Sequence, residues 1–410
     1  MKRVVITGMG AVTPIGNTLS AYWQALLAGK VGIDFITKFD TEGFKVNIAA
    51  EVKDFDPSLY MEKNDIRRTD LYSQYALAAA AQAMEDSGIM GRVKPERLGV
   101  YVGSGIGGMD TFMSGHEKLL SDGPRRISPF FIPMMISNMA TGNISIKYQA
   151  MGPTLPVVTA CATSTHTLGE AFRTIKHGYA DAIIAGGTEA PINALATAGF
   201  INCQALSTKN LPLESSTPFD KNRDGFVMGE GAAILVLEEY EQAKARGAKI
   251  YAEIKGYGNT SDAYHITAPH PEAEGAANAI RQALAEAGYR EGMQVYYNAH
   301  GTSTPLNDKA ETLAIKKAFG ETAAKSLHIS STKSMTGHML GAAGAAEAIA
   351  AVKALHEGVI PPTMGYKEAD PDCDLNYTPN QKAAVACDFA LSTSLGFGGH
   401  NSVVAFVPAE

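Results

Sequence analysis

The stretch VVTACATSTHTLGEAF, residues 157–172, decides the fold, because a β-branched run leads through a lone cysteine into a helix-forming segment rich in small residues. A cysteine at a helix N-terminus lies beside unpaired backbone N–H groups, and the helix macrodipole favours its thiolate. Cys161 is therefore predicted to be a nucleophile with a lowered pKa. The same N–H groups are suited to hold an oxyanion when the sulfur attacks an acyl carbonyl.

The pattern around this stretch repeats along the chain. Short β-rich runs alternate with Ala-rich helical segments, which is typical of an α/β fold. In each of two series, a strand delivers a reactive side chain just before a small-residue helix: Cys161 in the first, Lys333 and His338 in the second. We predict two pseudo-symmetric α/β halves, residues 1–249 and 250–410, with the reactive groups where the halves meet.

One segment of the first half departs from this alternation. GHEKLLSDGPRRISPFFIPMMISNMATG, residues 115–142, mixes proline, aromatic residues and methionine, and it fits neither the helical nor the strand period. The surrounding region, near residues 109–150, is predicted to be an insertion that caps a pocket or forms a subunit interface.

Composition limits the function classes. The chain has 410 residues, of which 45% are hydrophobic and 19% charged, as in a soluble globular enzyme. Its formal charge of −7 argues against nucleic acid or an anionic membrane as the main partner. The N-terminus reads as a first strand rather than a signal peptide, and no apolar run is long enough to span a membrane. Four scattered cysteines without a C-x-x-C pair argue against zinc and favour reduced thiols in a cytoplasm.

Two histidines have the setting of active-site groups. His300 in NAHGTSTP and His338 in TKSMTGHMLGAAG each follow a predicted strand among small residues, so that each imidazole is expected to face a cavity. Two imidazoles can donate N–H groups to a thioester oxygen as negative charge develops on it, whereas a single histidine beside cysteine would suggest a protease-like base. Lys333 is predicted to favour the neutral form of His338 or to orient the site, and Asp308 and Glu347 to pair with Lys333 or orient a histidine.

The other eight histidines have no comparable setting. They are predicted to be surface or structural residues: His116, His166, His177, His265, His270, His328, His356 and His400.

Two glycine-rich segments suggest ligand contacts. GSGIGG, residues 103–108, matches the dinucleotide pattern G-x-G-x-x-G, with Asp122 near the spacing of a ribose-binding carboxylate. The βαβ context fails, because the next segment is not a second parallel strand, and a dinucleotide site is disfavoured. LGFGGHN, residues 395–401, is predicted to be a turn between strands that brings a backbone N–H and the ring of Phe397 to a ligand.

Together these segments resemble the β-ketoacyl-[acyl carrier protein] synthases, condensing enzymes of the thiolase-like superfamily, over essentially the whole chain. TACATSTH resembles their active-site cysteine segment, and NAHGTSTPLNDKAE and SSTKSMTGHMLGAAGAAE resemble their two histidine segments. PFDKNRDGFVMGEGA and LGFGGHN match further signatures. The two histidines are similar to those of elongating members, since initiating members use histidine and asparagine. The sequence differs from the usual pattern in the ATST that follows the cysteine and in His400, where many members have threonine.

The resemblance implies a thiolase-like fold in which the two halves form a layered α-β-α-β-α sandwich. It implies that Cys161 takes an acyl chain from an acyl carrier protein, and that His300 and His338 support decarboxylation of malonyl-carrier protein and stabilise the enolate. Further roles implied are an oxyanion hole at Cys161 and Phe397, a gate at Phe397, support from Lys333, Asp308 and Glu347, pantetheine contacts at Thr302 and Thr304, and substrate binding at Ile106. No metal or redox cofactor is implied.

The resemblance also implies partners. Acyl carrier protein is acidic, so a local basic surface is expected to receive it despite the negative net charge. The candidates for this surface are Lys63, Arg67, Arg68, Arg125 and Arg126. A cytoplasmic homodimer is implied, without nucleic acid and without membrane insertion.

Three other functions are weighed against this one. A nicotinamide-dependent reductase would use GSGIGG. A non-catalytic partner of a polyketide-type condensing pair would carry a residue other than cysteine at position 161, so the sequence argues against it. A CoA-dependent thiolase would use a second active-site cysteine, and Cys203, Cys373 and Cys387 lack a matching context.

Overall fold

The structure, a computed structural model, describes residues 1–409. The strands are β1 (Val4–Val12), β2 (Asp34–Phe35), β3 (Ile48–Ala49), β4 (Leu98–Gly103), β5 (Ala182–Glu189), β6 (Gly231–Glu239), β7 (Ala252–Ser261), β8 (Val295–Asn298), β9 (His328–Ser330), β10 (Val359–Ile360), β11 (Ala383–Ala384), β12 (Phe389–Gly396) and β13 (His400–Val407).

The helices alternate with the longer strands, as the sequence predicts. They are α1 (Leu19–Leu27), α2 (Lys63–Ile66), α3 (Leu71–Ser87), α4 (Met109–Asp122), α5 (Phe131–Met135), α6 (Met139–Tyr148), α7 (Thr163–Lys176), α8 (Ala194–Asn202), α9 (Tyr240–Ala245), α10 (Glu274–Ala287), α11 (Pro305–Phe319), α12 (Glu321–Ala324), α13 (Lys333–Thr336) and α14 (Ala343–Glu357).

Nine strands form one mixed sheet in the order β4-β5-β6-β1-β7-β13-β12-β8-β9. The halves join where three residues of β1, Val4–Ile6, pair with Ala252–Ile254 of β7. The two sides of this junction have the same pairing pattern. Counted toward the junction, the pairs β4-β5, β5-β6 and β6-β1 are parallel, antiparallel and antiparallel. The pairs β8-β12, β12-β13 and β13-β7 follow the same pattern. This repeat confirms the predicted pseudo-symmetric α/β fold, and it supports our proposed boundary at residue 249.

Helices α7 and α14 form a central layer between the two halves of the sheet. One apolar cluster contains Phe172 of α7 and Ile349 of α14, together with Leu235 from the first half and Val404 from the second. On the opposite faces, α3 packs on the first half and α10 on the second, each in its own cluster. The five layers are therefore helix, sheet, helix, sheet and helix, as predicted.

The two central helices begin in the same way. Ala160 (φ 51°) and Leu340 (φ 46°) both have a left-handed backbone. Each residue opens a 3-10 turn, Ala160–Ala162 and Leu340–Ala342, that leads directly into its helix. A left-handed backbone is strained for a residue with a side chain, and such strain is typical of functional sites. The repeat makes Gly341 the structural counterpart of Cys161.

One local prediction is wrong. Residues 157–160 are not a strand; the segment before Cys161 is extended and follows the edge of β4, with Val100 N–H donating to the Pro153 carbonyl at 3.0 Å. The region 109–150 is largely helical, as α4 to α6, and its role as a cap or a subunit interface stays a prediction. Its helical period is hidden because α4 has no buried residue and carries Phe112, Leu119 and Leu120 on its exposed surface.

Candidate active site

Cys161 lies in the 3-10 turn at the start of α7 and is 9% exposed. It belongs to an apolar cluster with Phe226 and Leu340. Burial raises the pKa of the Cys161 thiol to about 11, while the Lys333 ammonium and the N–H of Phe397 act in the opposite direction. The predicted lowering of this pKa is therefore wrong, because loss of hydration outweighs the helix N-terminus and the ammonium.

His300 follows β8 on a buried loop that lies beside α11. Glu311 on α11 accepts the N–H groups of His300 and Gly301, both at 2.7 Å. The Lys333 Nζ lies 3.4 Å from His300 Nδ1. Because an ammonium has no acceptor, Nδ1 must accept this bond, and the imidazole proton resides on Nε2.

His338 lies in the segment between α13 and the turn at Leu340. Its backbone N–H donates to the Val227 carbonyl at 2.7 Å, and its own carbonyl accepts the Gly229 N–H at 2.8 Å. Both ring nitrogens are buried and have no protein partner within residues 1–409. An unpaired buried imidazole is costly unless a ligand completes its hydrogen bonds, so this side chain is a candidate ligand contact.

The two imidazoles face each other with ring centroids 5.3 Å apart and planes at 85°. Burial lowers the pKa of both His300 and His338 well below the usual value, and the nearby Lys333 ammonium lowers both further. Both are therefore neutral at physiological pH. A neutral imidazole can donate one N–H to an oxygen without carrying charge before the reaction.

Lys333 and Glu347 form a buried ion pair behind His300. Their side chains are 1% and 3% exposed, and the Lys333 ammonium donates to Glu347 Oε1. Burial raises the pKa of Glu347 to about 7, while Lys333 opposes this shift. The Lys333 ammonium of this pair places a positive charge near both imidazoles and near Cys161.

Asp308, also predicted to support Lys333 or a histidine, is placed elsewhere. Its carboxylate accepts the N–H groups of Phe219 at 2.8 Å and Ser303 at 3.2 Å, and it lies 3.6 Å from Arg223 Nε. The carboxylate that holds the backbone of His300 itself is that of Glu311, one helical turn further along α11, which the sequence interpretation missed. The contact of Glu311 depends on how α11 lies against the loop of His300, and no local pattern in the sequence indicates it.

One cavity of about 360 Å³ is lined by most of the predicted site residues. It is bordered by Cys161, His300, His338 and Phe397, and also by Thr302 and Thr304, whose hydroxyls lie 3.0 Å apart. Lys333 and Glu347 lie behind this wall. Ile106 packs against the apolar cluster that contains Cys161 and does not border the cavity. The arrangement presents a sulfur, two neutral imidazoles and two hydroxyls to a single ligand.

The GSGIGG loop binds the side-chain carboxylate of Glu189. Ser104 Oγ, Gly105 N and Ile106 N donate to Glu189 at 2.7, 2.8 and 3.0 Å. A pyrophosphate would need these same backbone donors, and they are occupied. The dinucleotide alternative, including the ribose role of Asp122, is therefore not supported by the structure.

Comparison with known proteins identifies the family. Residues 1–243 match the N-terminal domain of the β-ketoacyl synthases, and residues 251–367 match the C-terminal domain. The chain belongs to the β-ketoacyl synthase family. This synthase is 52% identical over 410 residues to the 3-oxoacyl-[acyl-carrier-protein] synthase 2 of Staphylococcus aureus, covering 100% of this chain and 99% of the relative. It is 51% identical over 407 residues to that of Synechocystis sp., covering 99% and 98%.

Solved structures agree with this family. The synthase matches a β-ketoacyl synthase from Burkholderia phymatum with a TM-score of 0.92 and 35% identity, over 100% of both chains. It matches a type II PKS ketosynthase in complex with its acyl-carrier protein with a TM-score of 0.91 and 34% identity, also over 100% of both chains. These matches confirm the thiolase-like fold. A CoA-dependent thiolase is not supported.

The predicted docking residues of the synthase are all exposed. Lys63, Arg67 and Arg68 lie on and after α2, and Arg125 and Arg126 lie in the turn after α4. The Arg68 guanidinium lies over the ring of Phe130, 4.9 Å from its centroid, which joins the two groups into one surface. No helix within residues 1–409 has the length and apolar character needed to cross a membrane.

The buried ion pair gives a first prediction. Lys333→Met and Glu347→Gln are each expected to lower the free energy of unfolding of the synthase by about 3–5 kcal/mol, because each leaves a buried charge without its partner. The double variant Lys333→Met/Glu347→Gln should lose less than the sum of the two single variants. Urea titration followed by circular dichroism measures these changes.

A matched control uses an exposed ion pair. Lys221 and Glu368 lie 2.6 Å apart with side chains that are 54% and 51% exposed. Lys221→Met should leave the free energy of unfolding nearly unchanged. Equal effects of Lys221→Met and Lys333→Met would contradict the assignment of a buried pair.

Proposed function

We propose that this β-ketoacyl synthase is a 3-oxoacyl-[acyl carrier protein] synthase of the type 2 class, an acyltransferase that elongates acyl chains in fatty acid synthesis. The relatives that are 52% identical over the full length carry this activity in their names. The observation that carries the proposal is the convergence of Cys161, His300 and His338 on one cavity. We further propose that the enzyme acts in the cytoplasm.

The first half-reaction transfers an acyl group to Cys161. The sulfur attacks the carbonyl of an acyl carrier thioester, and the new bond forms as the bond to the pantetheine sulfur breaks. The Cys161 proton leaves on the pantetheine thiol. Backbone N–H groups of Cys161 and Phe397 hold the oxyanion, in agreement with the approach of the Phe397 N–H to this sulfur. Thr302 and Thr304 bind the pantetheine arm.

The second half-reaction condenses a malonyl group with the acyl chain. Malonyl-carrier protein loses carbon dioxide as its carbon–carbon bond breaks, and the electrons remain as an enolate. The Nε2–H of His300 and an N–H of His338 donate to the enolate oxygen, where charge appears only as the reaction proceeds. The enolate carbon attacks the acyl-Cys161 carbonyl and the sulfur leaves. The product is a 3-oxoacyl carrier protein that is two carbons longer.

The Phe397 turn controls access to this chemistry. Gly398 N–H donates to the Ile266 carbonyl at 2.7 Å, and Asp262 N–H donates to the Gly399 carbonyl at 2.8 Å, so that a second loop holds the turn. An enolate would be protonated by water that entered the site. Phe397 acts as the gate between acylation and condensation.

The acyl carrier protein docks on the basic surface formed by Lys63, Arg67, Arg68, Arg125 and Arg126. The synthase in complex with its carrier among the similar structures supports a carrier partner. Arg67→Glu/Arg68→Glu is expected to raise KM for carrier-bound substrate about 10-fold with little change in kcat, because the new glutamates repel the acidic carrier and slow the encounter. Steady-state kinetics at low and high salt measure the effect, which salt should weaken.

A charge-matched control lies at the opposite end of the sheet. Arg290 and Lys325 are exposed and precede β8 and β9. Arg290→Glu/Lys325→Glu changes the net charge by the same amount and should leave KM unchanged. An unchanged KM in the Arg67→Glu/Arg68→Glu enzyme would remove that pair from the docking surface.

The enzyme functions as a homodimer. Large apolar side chains remain exposed on the helices of residues 109–150 and on the segment beside β4. They are Phe112, Leu119, Leu120, Phe130, Ile132, Ile146, Met151, Leu155 and Val158. Exposed apolar side chains in this number on one region of the chain favour association.

Product analysis tests the function directly. The enzyme is incubated with acyl carrier proteins of graded chain length and with malonyl-carrier protein, and the carrier-bound products are measured by mass spectrometry. We expect a 3-oxoacyl product that is two carbons longer than each accepted acyl chain, together with released carbon dioxide. Formation of free acid or of an acyl-CoA product alone would contradict the proposal.

A further inference from the structure

Glu189 is a buried carboxylate that the mechanism above does not use. It ends β5, has no exposed surface and receives four hydrogen bonds. Three come from the GSGIGG loop, and the fourth comes from Gly341 N at 3.0 Å. The Ser104 hydroxyl accepts the Gly107 N–H at 2.9 Å, so its own proton points to Glu189. Four donors on two oxygens identify an ionised carboxylate.

The fourth donor links Glu189 to the internal repeat. Gly341 is the counterpart of Cys161, because both occupy the second position of a 3-10 turn that opens with a left-handed residue. In the second half, the N–H of this turn already holds a negatively charged oxygen, that of Glu189. The same backbone geometry therefore occurs twice. The turn at Gly341 binds the Glu189 carboxylate, and in our mechanism the turn at Cys161 binds the oxyanion.

Glu189 also lies next to the nucleophile. A Cβ atom placed on Gly105 would be 2.9 Å from Glu189 Oε2 and 3.6 Å from the carbonyl oxygen of Ala160, the residue before Cys161. Only this glycine separates the carboxylate from the turn that carries the sulfur. The same loop continues into Ile106, which packs in the apolar cluster of Cys161.

The charges around the sulfur oppose one another. The Lys333 ammonium lowers the pKa of Cys161, and the Glu189 carboxylate raises it. His300 and His338 also face the cavity and are neutral. On the other side of Glu189, the pKa of Tyr72 is raised to about 12 by burial, so this phenol is uncharged at neutral pH. Glu189 is thus the carboxylate whose charge acts on this sulfur, while the carboxylate of Glu347 is paired with Lys333.

We propose that Glu189 is a positioning residue with two effects: its charge opposes that of the Lys333 ammonium at the Cys161 sulfur, and its hydrogen bonds fix Ile106 in the apolar cluster that contains the acyl-bearing Cys161. The first effect slows alkylation of the nucleophile, in addition to the effect of burial. The second rests on the proposed function, because it concerns the acyl chain that the enzyme accepts.

Alkylation of Cys161 by iodoacetamide tests the first effect without any carrier protein. The rate is followed by intact-protein mass spectrometry across a pH series, with the adduct located by peptide mapping. In Glu189→Gln the pH midpoint of alkylation is expected to fall by about one pH unit, because a negative charge beside the thiolate is removed. Glu189→Asp keeps the charge and should keep the midpoint. An unchanged midpoint in Glu189→Gln would overturn this effect, whatever reaction the enzyme catalyses.

Chain-length preference tests the second effect. Glu189→Asp is one methylene shorter and loses contact with part of the loop, so kcat/KM for long acyl-carrier substrates should fall about 10-fold more than for short ones. Equal losses for long and short chains would overturn the positioning of Ile106. If Glu189→Gln does not fold, Glu189→Ala, which also removes the charge, replaces it in the alkylation test.

A second buried carboxylate serves as control for both measurements. Glu238 lies at the opposite end of the neighbouring strand β6, is fully buried and pairs with Arg246 at 2.7 Å. Glu238→Gln should change stability but neither the alkylation midpoint nor the chain-length preference. A shift of the same size in Glu238→Gln would show that the effect is global, and the proposal would fail.

Discussion

Cys161→Ala is expected to abolish acyl loading and to lower the rate of condensation by on the order of 10⁴-fold or more, because the variant loses the thiol that lies at the start of α7 beside the oxyanion donors. Incubation with acyl carrier protein alone should add one acyl mass to the wild-type enzyme and none to the variant. Intact-protein mass spectrometry measures this difference in a single experiment.

The matched control is a second thiol on the same cavity. Cys203 is exposed and borders the cavity that contains Cys161. Cys203→Ala should load acyl groups at the wild-type rate. Retained loading in Cys161→Ala, or lost loading in Cys203→Ala, would contradict the assignment of Cys161 as the nucleophile.

His300→Ala and His338→Ala are expected to separate the two half-reactions. Each variant should still accept an acyl group on Cys161, since the sulfur and its oxyanion donors remain. Condensation should fall about 10²–10³-fold in each, because one donor to the enolate oxygen is lost. The acyl-enzyme should therefore accumulate when malonyl-carrier protein is added, and its decay can be followed by intact-protein mass spectrometry.

His270 provides the histidine control, since it borders the same cavity near Asp262 and Pro269. His270→Ala should condense at nearly the wild-type rate. The double variant His300→Ala/His338→Ala should lose less than the product of the single losses, because both donors act on one oxygen. Normal elongation in both single variants would contradict the proposed roles.

The sequence predicts the large features of this molecule because they depend on local patterns. The alternation of strand and helix, the repeat of the halves and the turns that carry His300 and Phe397 all follow from short segments. The cavity brings together Cys161, His300 and His338, whose motifs each indicate an active-site group. Motifs indicate which side chains are available, and the sheet order determines where they meet.

What the sequence did not predict depends on contacts between distant segments. Gly341 meets Glu189 across 152 positions, so no local pattern connects them. Glu311 was missed and Asp308 misplaced because the choice between two carboxylates on one helix depends on how α11 lies against the loop of His300. The pKa of Cys161 was predicted in the wrong direction because its burial depends on Phe226 and Leu340, which come from other parts of the chain.

The central helices have a consequence for how the protein can be divided. Because α7 and α14 pack against strands of both halves, a cut near residue 249 would expose the interior faces of two half-sheets at once. Neither fragment would retain a complete interior, and each would be prone to aggregate. The two halves are therefore expected to unfold in a single cooperative transition, and fragments produced separately are expected to recover activity only when they refold together.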